Sequence, residues 1–159
     1  LGRVTGHEGE AGTLVTTMQR RIGAILKTSK ARAAGLSVYH ELSPDHYSVT
    51  SKTFIGQVYA QFGLENIADA ADTGGFGYPQ LSGEYIVKSS PDLIVLADSV
   101  CCGVTPGKAG ARPGWSSISA VKTGSIVRVD DSIASRWGPR LVNFYRAMAT
   151  ALKRLKQQS

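Results

Sequence analysis

The chain has only two cysteines, and they are neighbours, Cys101 and Cys102. With no CxxC spacing and no second pair, zinc and iron–sulfur sites lose their usual ligand set. A vicinal disulfide, a bridge to a cysteine outside this sequence, or a reduced buried pair all stay open. No apolar run approaches the roughly 20 residues that span a bilayer, and no signal peptide is visible. Internal repeats and low-complexity tracts are missing, which excludes solenoids and compositionally biased linkers. Lys and Arg never gather into a stripe interleaved with aromatics. The charge, 18 basic minus 12 acidic or +6, therefore suits anions in general and gives little support to nucleic acid. An initiator methionine is also lacking, and the first residues run within a turn into a long helix. The expectation is a fragment or processed chain, with any targeting signal upstream.

What is present is one ordinary domain. Its 159 residues, 42% hydrophobic and 19% charged, are enough to bury a real core. The stretch from Tyr78 to Asp98, YPQLSGEYIVKSSPDLIVLAD, organises the rest. Leu93 to Leu96 form a continuous apolar run and so predict a strand covered on both faces, as in a parallel sheet between helices. Before it, Ser82 can cap a short helix with Glu84 in its first turn, and Pro91 forbids continuation. An acidic residue there complements the helix dipole by about 0.3 to 1 kcal/mol and needs no other purpose.

Elsewhere the pattern predicts a helix from Glu8 to about Lys27, with Ala11, Leu14, Met18, Ile22 and Ile25 on one stripe. A strand over 36–42 follows, then a helix over 51–62 ended by Gly63. A long loop spans 99–113, a short helix 114–121 and a third strand 126–129. The last helix starts near Pro139. Strands alternating with helices indicate an α/β fold on a mostly parallel sheet, whose ligands gather at the carboxyl ends of the strands. The loops that matter are then 43–50, 98–113 and 130–138, with Tyr78 near the same edge. They offer His46, Tyr47, Arg112, Arg136 and Trp137, a set suited to stacking on a large flat ligand and to holding an anion.

Several blocks in one order, TGHEGEA before a helix, HELSPDHYSVTSKTFIG, GLENIAD, YPQLSGE, SPDLIVLAD, PGWSSISAVKTGSIVRVD and RWGPRL, resemble the C-terminal lobe of class III periplasmic-type substrate-binding proteins. This is the ABC-importer family for ferric siderophores, haem and cobalamin. The resemblance runs from Gly2 to the final helix. It implies a three-layer, Rossmann-like lobe over 31–159, preceded at 1–30 by the end of a long amphipathic interlobe helix, with the N-terminal lobe outside this sequence. It implies capture rather than catalysis, no resident cofactor, an extracytoplasmic location in the periplasm or as a cell-surface lipoprotein, and a membrane permease and the N-terminal lobe as partners. Glu84, ahead of Pro91 and Asp92, matches the acidic residue that docks on permease arginines. Tyr78 matches an aromatic position at the ligand cleft, and Arg136 and Trp137 lie where a cleft-facing loop is expected. Arg112, Arg136 and the positive charge favour an anionic ferric siderophore; Tyr78 and Trp137 serve haem or cobalamin equally well.

Three rival classes compete: a protein that binds a metal ion directly, a cysteine enzyme, and a binding module with no transport role. His40, Glu41, Asp45 and His46 form a compact set for a metal ion, but on a strand His40 and Glu41 point to opposite faces. An enzyme with Cys101 or Cys102 as nucleophile and His46 as base would use groups at one sheet edge, yet nothing in the sequence activates such a thiol.

Overall fold

The computed structural model describes residues 2–99, 101–129 and 138–155. Four strands, β1 (Ser37–Glu41), β2 (Glu65–Asn66), β3 (Leu93–Leu96) and β4 (Ile126–Arg128), form one sheet in the order β2-β1-β3-β4. All three pairings are parallel; Val38 lies opposite Leu93 and Ile94 opposite Ile126. Helices cover both faces, so the three-layer α/β expectation holds.

Side-chain alternation along the strands separates two cores. On one face Val38, Leu93, Val95 and Ala97 meet helices α2 (Glu8–Ala33), α3 (Phe54–Phe62) and α7 (Leu141–Leu155), with Tyr59, Phe62, Phe144 and Met148 packed between them. On the other, Tyr39, Ile94 and Leu96 meet α4 (Gly83–Ser89), α5 (Pro106–Gly110) and α6 (Ser119–Lys122), together with Trp115 and Ile118. A short α1 (Gly2–Thr5) precedes α2.

Local chemistry sets the ends of these elements. The Ser82 hydroxyl accepts the Tyr85 N–H at 3.1 Å to start α4 as expected, and Thr53 accepts the Gly56 N–H at 3.1 Å to start α3. Helix α3 thus begins at Phe54 and not at Ser51, because Thr50 to Thr53 form the turn that supplies the cap. Helix α2 runs to Ala33, beyond Lys27 and beyond residue 30. Ser29 and Ala33 are buried along it, its last turns carry good helix formers, and Gly35 at φ 77° follows. Inside the expected loop 99–113, Thr105 and Pro106 start α5. The segment over 114–121 divides into a 3₁₀ turn at Trp115–Ser117 and α6.

At the amino edge of the sheet, Asp92 ties three segments together. Its carboxylate accepts from the Ser37 N–H at 3.0 Å, the Ser37 hydroxyl at 3.1 Å and the Ser119 hydroxyl at 3.0 Å. The SPD motif is therefore structural at this end of the strand.

Helix α3 approaches the loop after β1 so closely that a Cβ on Gly56 would stand 1.9 Å from the Thr50 carbonyl oxygen. Backbone cannot yield as a flexible side chain does. Gly56→Ala should therefore lose about 3 kcal/mol or more of stability, read by urea unfolding; an unchanged midpoint would show that the two segments are not in contact.

Candidate functional site

Alternation along β1 and β3 sends Tyr39, Glu41 and Asp98 to one face, at the carboxyl end of the sheet. Glu41 and Asp98 are fully buried. Arg112, just past α5, reaches back to Glu41 with both terminal nitrogens, Nη1 donating to Oε2 at 2.5 Å and Nη2 to Oε1 at 2.7 Å. The Tyr39 hydroxyl donates to Oε2 at 3.2 Å. Burial, and then Glu41, push the Tyr39 phenol far above its ordinary range, so it remains a donor. The hydrogen bonds to Glu41 hold the Arg112 guanidinium charged.

Its planar cation also lies 4.5 Å from the centre of the Trp115 ring, within cation–π range. Trp115 meets Tyr39 edge-on at 6.1 Å and the tilted His46 ring at 5.8 Å. His46 takes a left-handed backbone, φ 64°, at the turn closed by its N–H to the Ser43 carbonyl. Burial and the Arg112 charge lower its pKa, favouring neutral imidazole. His46, Trp115, Arg112, Gly83 and Glu84 line an open groove of about 660 Å³.

From the groove, residues 46–50 run antiparallel to 77–81. Ser48 N–H donates to the Pro79 carbonyl, Thr50 N–H to that of Gly77 and Leu81 N–H to that of His46. This pairing leaves Tyr47 44% and Tyr78 55% exposed. Phe76, 86% exposed, joins them on a turn held by Asp72, whose carboxylate accepts the Phe76 and Gly77 N–H groups at 3.1 and 2.9 Å.

The expected residues therefore divide. Tyr47, Tyr78, Arg112 and Glu84 lie at one edge, and Glu84 is exposed at the groove wall. Arg112 is not a free cation, because its charge is matched by Glu41. Arg136 and Trp137 fall outside the described residues. Cys101 and Cys102 set their sulfurs side by side, as in a vicinal disulfide, on the turn where Cys102 N–H donates to the Asp98 carbonyl. With the sulfurs turned to each other, neither is presented to His46 as a nucleophile. The metal set is not assembled either: His40 lies on the opposite face, its Nδ1 2.5 Å from the Tyr59 hydroxyl. Burial lowers its pKa to about 3, so it is neutral. Among the described residues no group of three or more His, Cys, Asp and Glu converges on a metal position.

Sequence reasoning missed Glu41 as a partner for Arg112, and also Trp115 and Phe76. Only Phe76 left a signal, a bulky aromatic in the GGFGY loop that no helix or strand period claims.

The Asp98 oxygens have no hydrogen-bond partner. Burial and the Glu41 charge push its pKa up to about 7. The folded state thus binds this proton more tightly than the unfolded chain does. Its contribution is full below the ordinary aspartate range and is lost as pH rises through about 7. Wild type should lose stability relative to Asp98→Asn between about pH 5 and pH 8, read by urea unfolding at both; an unchanged difference would mean that Asp98 ionises normally.

The periplasmic binding protein family model matches residues 1–133. An uncharacterized ABC transporter substrate-binding lipoprotein of Bacillus subtilis is 33% identical over 156 residues, 96% of this chain and 47% of that protein. A cobalamin-binding protein of Halobacterium salinarum is 33% identical over 159 residues, 95% of this chain and 41% of its own length. Among solved structures, a possible iron-binding, periplasmic solute-binding protein of Staphylococcus epidermidis superposes with a TM-score of 0.78 at 25% identity. That superposition covers 94% of this chain and 57% of the other. The chain thus spans less than half the length of either curated relative, and each of the three is described as a binding protein. Matched over most of its residues by one family model and sharing this parallel α/β lobe, the chain belongs to the periplasmic binding protein family.

Proposed function

We propose that this chain is the ligand-binding lobe through which an ABC importer captures a bulky metal chelate outside the cytoplasm and passes it to a membrane permease. The observation that carries the reading is the groove at the carboxyl ends of a parallel sheet, with exposed Tyr47 and Tyr78 on the paired segments that lead away from it and exposed Phe76 on the turn before them. Large aromatic faces contact flat or rounded ligands at little entropic cost. An N-terminal lobe, absent from this sequence, supplies the other wall, and α2 links the two. The exposed Val4, Leu14 and Val15 near its start suit that junction. A stiff connecting helix limits closure to small movements, so the function is capture and delivery. The name of the Bacillus subtilis relative supports a lipoprotein anchored outside the cytoplasm.

Among chelates we place cobalamin first. The preference for an anionic siderophore rested on Arg112, Arg136 and the net positive charge, and the Arg112 charge is spent on Glu41. The cobalamin-binding relative supports the same choice. A ferric siderophore is the second reading, favoured by Arg136 in the sequence and by the possible iron-binding protein of like fold. Haem would use the same aromatic faces. Glu84, exposed at the start of α4, is the group offered to permease arginines. The Cys101–Cys102 turn is a vicinal disulfide in the oxidising compartment this location implies.

Titration calorimetry of the full-length protein with cyanocobalamin tests the reading. Tyr78→Ala should weaken binding on the order of tenfold, and the lobe alone should bind far more weakly than the two-lobed protein. Equal affinity of lobe and full-length protein would remove the shared cleft. Glu84→Ala should abolish uptake in cells even at ligand concentrations that saturate the protein; retained uptake would free Glu84 of the docking role. Iodoacetamide should label neither cysteine until a reductant is added, and prompt labelling without it would rule out the disulfide.

A further inference from the structure

We propose that Glu41 is a specificity-determining residue: by holding the Arg112 guanidinium in a two-point ion pair, it cancels the positive charge at the groove and turns anionic chelates away. The inference rests on the cleft reading above and gives it a chemical filter. Arg112 is the only Lys or Arg among the described residues that line the groove. Its side chain is 19% exposed, so it faces the groove, whereas that of Glu41 is wholly buried behind it.

Stability alone does not account for the pair. The other strand residues on this face, Tyr39, Ile94 and Leu96, belong to an apolar core, and a buried ion pair is often no more stabilising than apolar residues of like volume. A free Arg112 would give this edge a planar, bidentate donor for carboxylates and catecholates. With Glu41 in place both terminal nitrogens are engaged inward. Glu84, exposed on the groove wall, tilts the balance further away from anions. The described lining is thus neutral at most. A ferric tris-catecholate meets no unpaired cation there, while an uncharged corrinoid meets aromatic surface.

Two measurements on wild type, Glu41→Gln and Glu41→Gln/Arg112→Gln decide the matter. Phenylglyoxal labelling, read by peptide mass mapping, needs no importer ligand. Wild-type Arg112 should label on the order of tenfold more slowly than exposed Arg3, and Glu41→Gln should bring the two rates together. Calorimetry on the full-length protein then uses cyanocobalamin and a ferric tris-catecholate as probes. Glu41→Gln should gain about tenfold or more for the anionic probe, in a salt-sensitive manner, with cyanocobalamin changed by less than about threefold. The double variant should return the anionic probe to its wild-type affinity. Wild-type Arg112 labelling as fast as Arg3 overturns the proposal even if the single variant fails to fold. So does a Glu41→Gln variant that leaves both probes unmoved or shifts them equally, in which event the cleft reading survives. If no form binds either probe, the cleft reading itself fails and the specificity role falls with it.

Discussion

The buried ion pair between Glu41 and Arg112 is the constraint on which this edge of the molecule depends. A carboxylate with no solvent exposure is tolerated only when its charge is matched and its lone pairs are used. Arg112 meets both needs with two parallel hydrogen bonds, and Tyr39 adds a third donor. Removing Arg112 would leave Glu41 buried and unpaired, a loss of about 3 to 5 kcal/mol. The pair joins the end of β1 to the segment after α5, across 71 positions of sequence.

Consequences spread outward from the guanidinium. Its face rests on Trp115, Trp115 rests on Tyr39, and His46 leans on the outer side of the indole. Packing and charge therefore cooperate, because the ring that covers the cation also closes the apolar core beneath it. The loop bearing His46 continues into the antiparallel pairing that exposes Tyr47 and Tyr78. The rim aromatics are thus held through backbone hydrogen bonds by the same edge that holds the charges. An exposed surface so anchored has little conformational freedom left to lose.

Much of the fold was legible in the sequence. The run Leu93–Leu96 predicted a strand buried on both faces, Ser82 and Pro91 bracketed α4, and Gly63 ended α3, because each signal is local. Strand β2 was not legible, since its two residues, Glu65 and Asn66, carry no period and owe their state to pairing with β1. Helix α5 hid in a stretch rich in glycine and proline, where Thr105 and Pro106 still supply a cap and a first turn. In the candidate site, Tyr47, Tyr78 and Arg112 lie at the carboxyl edge of the sheet, where the α/β pattern put the loops that matter. The state of Arg112 was not legible, because nothing local links position 112 to position 41. A charge in a sequence is a property of one residue; whether it is free or spent is a property of the fold.

The two ends of the sheet differ in how fully their polar groups are satisfied. At the amino edge Asp92 uses both carboxylate oxygens, on Ser37 and Ser119. At the carboxyl edge the buried side-chain atoms without a partner, among the described residues, are His40 Nε2, Ser43 Oγ, Ser48 Oγ, Thr50 Oγ1 and both oxygens of Asp98. Every one lies near the end of β1, in the loop after it, or just past β3. Unsatisfied buried polar groups cost about 1 to 3 kcal/mol each, and a fold optimised only for stability would disperse or remove them. The amino end, by contrast, holds three segments together through Asp92. Local rules of packing and satisfaction give way mainly where function makes its own demands, and here they give way on the side where the groove and the exposed aromatics lie.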